Sequence, residues 1–299
     1  MPVKEKFVAD FIKWIDVTKP TGEEMEELSS SYNLNQQLVR DCLQPEHLPK
    51  YEYDEEGRVH FLILRFYVHQ SGKNVSSIQE LTNKIALFYN KEILITIHVA
   101  DTPFLDLIAR RAVHNCQSAT ALLSKIIWEA LETFEEPANR LSEQLDIYES
   151  QVMLKKTSSD ITEALFYIKR QASISHKVLM LMLEPINHIR VKPGEESLIQ
   201  DVRDQHLKIQ TLYVQALEDV NNLLNVSMSF SSQRTNEVMR ILTLFSVFFM
   251  PLTFIVGIYG MNFEFMPELK QKWGYPGVLL LMLFVAATIY FWFKKKKWL

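Results

Sequence analysis

The C-terminal stretch of the chain decides its fold. It runs from Ile241 to Leu299 and reads ILTLFSVFFMPLTFIVGIYGMNFEFMPELKQKWGYPGVLLLMLFVAATIYFWFKKKKWL. Within it, residues 241–263 and 273–293 contain no Asp, Glu, Lys or Arg. A helix of about 20 apolar residues crosses the hydrocarbon core of a bilayer, so each segment is long enough to span one. Core helices of soluble proteins seldom run so far without a charge, and we therefore predict two transmembrane helices.

Basic residues flank the two segments and predict their orientation. The lysine run Lys294–Lys297 follows the second segment, and Arg234 and Arg240 precede the first. Such basic flanks stay on the cytoplasmic side, so we expect both termini in the cytoplasm and residues 263–275 outside. The N-terminal sequence MPVKEKFVADF shows neither a signal peptide nor an Arg-rich transit pattern. These features predict a multi-pass protein of a prokaryotic cytoplasmic (inner) membrane.

Composition and motifs narrow the class of protein. The 299 residues carry a net charge of −4, which gives no basic footprint for nucleic acid. The two cysteines, Cys42 and Cys116, are far apart, and histidines such as His98 show no ligand spacing. The sequence contains no Walker loop, nucleophile elbow or HExxH motif. We therefore expect neither an enzyme nor a nucleic-acid-binding protein.

Residues 1–116 are predicted to form a mixed α/β domain. Runs of Ile, Val, Leu, Phe and Tyr occur there in lengths and alternations typical of strands. Thr21 and Glu24 are placed as a capping box, and Pro103 follows a threonine at the start of another helix. The predicted strands are Lys6–Asp16, Val59–His69, Lys84–Tyr89 and Ile93–Val99. The predicted helices are Met25–Ser30 and the one that starts at Thr102-Pro103 and runs into Ala109–Cys116.

Residues 117–193 are predicted to form a helical hairpin. Ser118–Thr157 carries apolar residues at helical spacing, with a kink or short break expected at Pro137. Asp160–Glu184 forms the second helix of the hairpin, and we expect Pro185 to end it.

Acidic residues crowd the stretch 129–149, where Arg140 is the one basic residue. Two interpretations are open for this stretch, a surface that attracts metal ions or a solvated helix face. We favour the solvated face, because charge runs on helices usually serve solubility.

Residues 194–262 read as one long helix. After Pro193-Gly194 the next proline is Pro251 and the next glycine is Gly257. A helix over this range would be about 100 Å long and would reach well outside a bilayer. Its apolar residues must then be buried against something, and self-association is the simplest arrangement.

Small or polar residues recur along one face of the first apolar segment. Their intervals of three and four residues form a heptad seam. Small residues let membrane helices pack closely, and this is one explanation of the seam. The other is a pore wall, in which several copies of the helix surround an axis. The seam consists of Thr243, Ser246, Met250, Thr253, Gly257 and Gly260, extended backwards by Met239 and Asn236.

Asn262 lies just past this segment and favours the pore. Magnesium holds its waters tightly and demands octahedral coordination by oxygen. A ring of amide carbonyls can accept hydrogen bonds from those waters without stripping them. The tripeptide Gly260-Met261-Asn262, placed between two predicted spans, therefore indicates recognition of a hydrated divalent cation.

The segment from Thr235 to Leu299 resembles the membrane domain of the CorA magnesium transporter family. The resemblance rests on MPLTFIVGIYGMNFEFMPELKQKWGYP, which begins at Met250, and on the closing KKKKWL. Upstream, the order of an α/β domain followed by long helices is similar in architecture. The resemblance implies a CorA-like homopentameric funnel, in which an α/β cytoplasmic domain and long stalk helices precede a two-helix transmembrane domain.

The resemblance also implies roles for individual residues. Gly260, Met261 and Asn262 would form the selectivity filter, with Asn262 contacting the metal through its hydration shell. Intracellular Mg²⁺ bound between cytoplasmic domains closes the channel in this family, which would make Asp201 a regulatory metal ligand. A second regulatory position falls on Asn225, an amide rather than an acid, which weakens the case for regulation. The pore-lining residues would be Asn236, Met239, Leu242, Ser246, Met250, Thr253 and Gly257.

The expected function is a passive, potential-driven divalent-cation channel gated by intracellular Mg²⁺. Magnesium would be cargo and regulatory ligand, and Co²⁺ and Ni²⁺ are further candidate ions. A membrane potential of 100 mV supplies about 4.6 kcal/mol for a divalent ion, so no pump is required. The expected partners are other copies of the chain, the lipid bilayer and hydrated divalent cations.

Two alternatives stay open. One is a proton-coupled zinc transporter of the same superfamily, although neither predicted span has a charged residue for a proton relay. The other is a non-transporting membrane scaffold or metal sensor on the same oligomer. The expected division of the chain is 1–116 (cytoplasmic α/β domain), 117–193 (cytoplasmic helical hairpin), 194–262 (stalk and first transmembrane helix), 263–275 (outer loop) and 276–299 (second transmembrane helix and basic tail).

Overall fold

The chain divides into two compact units, Met1–Ser227 and Met228–Leu299. The first unit contains a mixed sheet and most of the helices, whereas the second contains the C-terminal part of the longest helix and the last helix. The computed structural model describes residues 3–9, 12–68, 77–115, 118–154, 159–191, 193–262 and 264–296.

Six strands form one sheet in the first unit. Their spatial order is β1-β2-β6-β5-β4-β3, and β2 pairs parallel with β6 while the other pairs are antiparallel. The three strands β4, β5 and β6 are almost completely buried, which agrees with their continuous apolar sequences. The strands are β1 (Val3–Ala9), β2 (Ile12–Thr18), β3 (Lys50–Asp54), β4 (Val59–Tyr67), β5 (Thr82–Tyr89) and β6 (Ile93–His98).

Helices pack beside the sheet, and they also make up most of the C-terminal half of the chain. The first of them begins at the predicted capping box, in which the Thr21 hydroxyl accepts from the Glu24 amide and the Glu24 carboxylate accepts from the Thr21 amide. A short 3-10 helix lies at Pro267–Lys270. The α-helices are α1 (Gly22–Tyr32), α2 (Gln36–Leu43), α3 (Ile78–Leu81), α4 (Pro103–Asn115), α5 (Ala119–Glu132), α6 (Glu135–Met153), α7 (Ser159–His188), α8 (Glu196–Tyr259) and α9 (Gly274–Lys295).

The main core lies between the sheet and the first two helices. Met25 of α1 and Leu38 of α2 are buried against Ile63, Phe88 and Ile97 of the sheet. Helices α5 and α7 contact β4 as well. Buried apolar side chains of the strands therefore supply the contacts that hold the helices in place.

Two strand predictions need correction. The sequence predicts one strand at Lys6–Asp16, whereas the structure has β1 and β2, which pair antiparallel with Ala9 opposite Ile12. Alternating apolar residues continue on both sides of this reversal, so the pattern alone reads as one strand. The edge strand β3 was not predicted, because its sequence KYEYD is charged and half exposed. The other three predicted strands are confirmed as β4, β5 and β6.

One helix prediction needs correction, and the break predicted around Pro137 is confirmed. Pro185 does not end its helix, because α7 continues to His188. Met182 and Ile186 are completely buried beside the proline, and this packing offsets the roughly 3 kcal/mol that a proline inside a helix costs. The break expected at Pro137 lies just before it, between α5 and α6, and Pro137 occupies the first turn of α6. A proline is tolerated there because the first amides of a helix have no acceptor within it.

The long uninterrupted helix is confirmed. Helix α8 has 64 residues and continues through Pro251. It begins just after Gly194, whose φ of 95° is the left-handed conformation that glycine accepts without strain. Some predicted element ends lie outside the described residues, namely His69, Cys116, Thr157 and Lys297.

Candidate ion pathway in the C-terminal helices

Two helices of the structure are long and apolar enough to cross a membrane, α8 and α9. Their most apolar windows are 0% and 6% buried, respectively. A core helix of a soluble protein would be mostly buried, whereas these helices expose Phe249, Phe254 and Leu283 by 60% or more. Both surfaces therefore require lipid or another protein copy to cover them.

One face of α8 is partly covered, and it includes Phe248. The Phe248 ring contacts Phe293 of α9, with centroids 5.8 Å apart, and Phe293 is completely buried. Partly covered residues repeat along α8 at intervals of one, three and four, as expected for a helix face packed on a neighbour. They are Leu244, Val247, Phe248, Pro251, Leu252, Ile255 and Tyr259.

The predicted pore residues lie on the opposite side of α8. At 3.6 residues per turn, Met239 and Gly257 are about 180° around the helix from Phe248. Met250 is 71% exposed and Leu242 is 58% exposed. All seven residues predicted to line a pore are exposed in the single chain, namely Asn236, Met239, Leu242, Ser246, Met250, Thr253 and Gly257.

The hydroxyls on this side bond to their own helix. The Thr243 hydroxyl donates to the Met239 carbonyl at 2.8 Å, and the Ser246 hydroxyl donates to the Leu242 carbonyl at 3.0 Å. Each donor is thereby satisfied without a partner helix. The hydroxyl oxygens keep lone pairs with which they can accept further hydrogen bonds, for example from water around an ion.

The filter tripeptide lies where α8 ends. The Gly260 amide donates to the Val256 carbonyl at 2.9 Å, and the Met261 amide donates to the Ile258 carbonyl at 3.2 Å. A Cβ at Gly260 would lie 3.1 Å from the Val256 carbonyl oxygen, which is tighter than ordinary contact. Asn262 follows and is exposed. Its side-chain amide has no hydrogen-bond partner among the described residues, so its carbonyl oxygen is free to accept.

The described residues contain no group of three or more His, Cys, Asp or Glu that could hold a metal ion. Asp201 is exposed on α8, and Asn225 is exposed further along the same helix. Within the described part of one chain, a dehydrated metal ion therefore has no cluster of carboxylate ligands to bind it. The available chemistry is an amide oxygen at Asn262 together with hydroxyls and an apolar wall on α8.

Ion pairs occupy part of the acidic stretch 129–149. Glu135 accepts from Lys208 at 2.6 Å and from Gln205 at 3.2 Å, and these bonds hold the pKa of its carboxyl below the usual value. Glu129 pairs with Lys125 of the same helix at 2.9 Å. These contacts favour the structural and solvated interpretation of the stretch.

Comparison with known protein families agrees with the two apolar helices found in the second unit. The model of a family described as CorA-like Mg²⁺ transporter protein matches residues 10–295. The chain belongs to this family. Its CorA-like architecture is an α/β domain with a mixed sheet, a long helix that reaches the first candidate span, and a C-terminal apolar helix.

Curated CorA proteins match nearly the whole chain. The cobalt/magnesium transport protein CorA of Thermotoga maritima is 28% identical over 298 residues, which are 96% of this chain and 83% of the relative. The magnesium transport protein CorA of Haemophilus influenzae is 24% identical over 297 residues, 96% of this chain and 92% of the relative. The CorA magnesium transporter of Methanocaldococcus jannaschii has a solved structure that matches with a TM-score of 0.79 and 19% identity, over 96% and 92% of the two chains. This likeness shows that the CorA fold extends over both units.

Sequence reasoning missed a buried polar network that joins β2 to β6. The Asp16 carboxylate accepts from the Thr96 hydroxyl at 2.5 Å and lies 3.2 Å from Nε2 of His98, and the Trp14 indole donates to Thr96 at 3.1 Å. All four side chains are at least 96% buried. The sequence does show polar residues at inward positions of these apolar strands. It does not show the register of β2 against β6, which brings those residues together. His98 is thus a buried residue of the core.

Proposed function

We propose that this chain is a subunit of a passive, potential-driven divalent-cation channel. Hydrated Mg²⁺ is its principal cargo, and Co²⁺ and Ni²⁺ are further ions that it admits. The curated relatives are named for transport of magnesium or of cobalt and magnesium, and family membership extends this activity to the present chain.

The exposed face of α8 is the observation that carries the proposal. It lies opposite the Phe248–Phe293 contact and runs from Asn236 to Gly257. In a homopentamer, five such faces would surround the axis and the α9 helices would form the outer ring. Met239, Leu242 and Met250 would then make an apolar neck, which gates by dewetting.

Asn262 completes the pathway as the filter, with Gly260 and Met261 positioning it. Its unpartnered carbonyl oxygen would accept hydrogen bonds from the first hydration shell, so the ion passes this ring without losing its waters. The cargo is recognised by size and hydration, which is why related divalent ions compete.

Regulation by intracellular Mg²⁺ is the second part of the proposal. Asp201 is exposed on the part of α8 that lies in the first unit, so it is accessible to a neighbouring copy and to a bound ion. A carboxylate there supplies the oxygen ligand that Mg²⁺ requires. The membrane is the prokaryotic cytoplasmic membrane, with both termini inside and residues 263–275 outside, and the five-part division from 1–116 to 276–299 applies.

Magnesium influx into proteoliposomes tests the proposal. The full-length chain is reconstituted, an inside-negative potential is imposed, and a fluorescent indicator reports Mg²⁺ with Zn²⁺ as competitor. We expect uptake that follows the potential and changes about tenfold or more in Asn262→Ala, because hydrogen bonds to a charged cluster are lost around the ring. Asn222→Ala is the matched control, since Asn222 is an exposed amide on α8, 40 residues before the filter.

Two other outcomes of this experiment would each indicate a different function. Zinc uptake driven by a pH gradient, without magnesium uptake, would show a proton-coupled zinc transporter. A protein that assembles in the membrane but moves neither ion would be a scaffold or a metal sensor.

A further inference from the structure

A cavity of about 650 Å³ opens in the first unit, beside the ends of β4 and β5. Its walls come from four segments that are distant in sequence: the β3–β4 hairpin, the β5–β6 turn, the start of α5 and the residues after α7. Cavities of this size hold cofactor-sized ligands. None of its lining residues belongs to the ion pathway on α8.

Three cations line the cavity, Arg58, Lys91 and Arg190, against one carboxylate, Glu92. All three are exposed, and none forms an ion pair within 4.0 Å among the described residues. The chain as a whole has a net charge of −4, so this concentration of positive charge runs against its average. Guanidinium and ammonium groups in such a cluster are the usual partners of phosphate oxygens.

Helix α5 adds to the positive potential, because it begins at the cavity wall. Its first two residues, Ala119 and Thr120, both line the cavity. Ser118 caps the helix by accepting from the Ala121 amide at 3.0 Å, which leaves the amides of the first two residues without an acceptor within the helix. A helix N-terminus of this kind favours anions through its amides and its dipole.

Aromatic rings form the remaining wall. His60 stacks on Tyr89 with ring centroids 4.7 Å apart, and Tyr53 lies against His60 at the same distance. Tyr53 is 47% exposed, so part of its ring is available to another planar group. The Tyr89 side chain is 92% buried, and its hydroxyl has no hydrogen-bond partner among the described residues.

We propose that this cavity binds a nucleoside polyphosphate. The base stacks on the exposed ring of Tyr53, and the phosphates contact Arg58, Lys91 and Arg190 near the N-terminus of α5. Cations alone would serve any polyanion, and an aromatic wall alone would serve any planar apolar group. Their combination within one cavity selects a ligand that has both parts. Nucleotide binding at this cavity does not depend on ion transport, and it can be measured directly as binding.

Isothermal titration calorimetry of the full-length chain in detergent tests it. ATP is titrated in metal-free buffer with EDTA, so that neither chelation by the nucleotide nor binding of Mg²⁺ to the protein contributes heat. Inorganic tripolyphosphate and adenosine are titrated separately. We expect saturable binding of ATP to the chain, at least about tenfold tighter than that of tripolyphosphate, because base stacking on an aromatic ring contributes to affinity.

Three variants locate the site. Arg190→Gln removes one phosphate contact and should weaken ATP binding about tenfold. Tyr53→Ala should weaken ATP binding by a similar factor and leave tripolyphosphate binding unchanged. Tyr89→Phe is the third variant and keeps the ring under His60 while removing only a covered hydroxyl, so it should bind ATP as the original chain does. Weakening by Arg190→Gln and Tyr53→Ala but not by Tyr89→Phe would assign binding to the exposed groups of the cavity.

Lys125→Gln is the matched control, because Lys125 lies on α5 outside the cavity and already pairs with Glu129. It should bind ATP as the original chain does. The proposal would be overturned by an absence of saturable ATP binding, or by equal affinities for ATP and tripolyphosphate that Tyr53→Ala leaves unchanged. Equal weakening in Lys125→Gln and Arg190→Gln would overturn it as well, since binding would then follow overall charge.

Discussion

Lys84 shows how much a single buried side chain can depend on contacts that sequence does not reveal. Its ammonium group donates to the Asp41 carbonyl at 2.6 Å and to the Gln44 carbonyl, both at the C-terminal end of α2. It is 7% exposed, and burial lowers its pKa from 10.5 to about 8. A cation is favoured beside the last carbonyls of a helix, but the loss of hydration opposes it and has the larger effect.

This shift predicts a pH dependence of stability. The unfolded chain keeps the Lys84 proton up to about pH 10.5, whereas the folded chain loses it from about pH 8. The unfolded state therefore binds more protons between these values, and the free energy of unfolding rises with pH there. Between pH 7.5 and 10 we expect the original chain to gain about 2 kcal/mol relative to Lys84→Met. Chemical unfolding followed by circular dichroism measures the difference, and a pH-independent difference would contradict the assignment.

The loop before α9 brings Gly274 close to the preceding 3-10 helix. A Cβ added at Gly274 would overlap the Glu268 carbonyl oxygen of the preceding 3-10 helix, whereas a Cβ at Gly277 would meet no atom within 4 Å. Gly274→Ala should therefore force the backbone to shift and lower stability by about 1–3 kcal/mol. Gly277→Ala, which makes the same chemical change three residues further on, should be nearly neutral. Thermal unfolding of the two detergent-purified variants compares them, and equal midpoints would refute the proposed overlap.

Elements whose signal is local were predictable from sequence. The capping box of Thr21, the break at Gly194 and the two apolar spans each depend on residues close together in the chain, and all three are found in the structure. The hairpin of β1 and β2 and the continuation of α7 past Pro185 were not predicted. They are decided by pairing and burial against distant residues, which outweigh local preference.

The molecule as a whole brings together residues that the sequence keeps apart. The candidate pore residues lie on one continuous helix, so helical periodicity identified most of their common face, and Leu242 was added by the resemblance to the family. The cavity beside β4 and β5 instead combines Arg58, Lys91 and Arg190 from three separate segments. No spacing rule connects such positions, because their proximity follows from sheet order and from where α7 ends. Sites on one element are therefore accessible to sequence reasoning, and sites between elements require the fold.

Exposed apolar side chains on the stalk part of α8 predict self-association. Leu207 is 62% exposed on α8, and Val214, one heptad later on the same face, is 37% exposed. Burying such side chains is worth about 1.5–3 kcal/mol each, and apolar residues one heptad apart on a long helix can be buried against further copies. Leu207→Glu should therefore weaken the proposed homopentamer, because a carboxylate would replace an apolar side chain on this face. Gln215→Glu adds the same charge on another face and serves as the control. Light scattering after size exclusion should give a lower mass for Leu207→Glu alone, and an unchanged mass in both variants would show that this face of α8 does not hold the oligomer together.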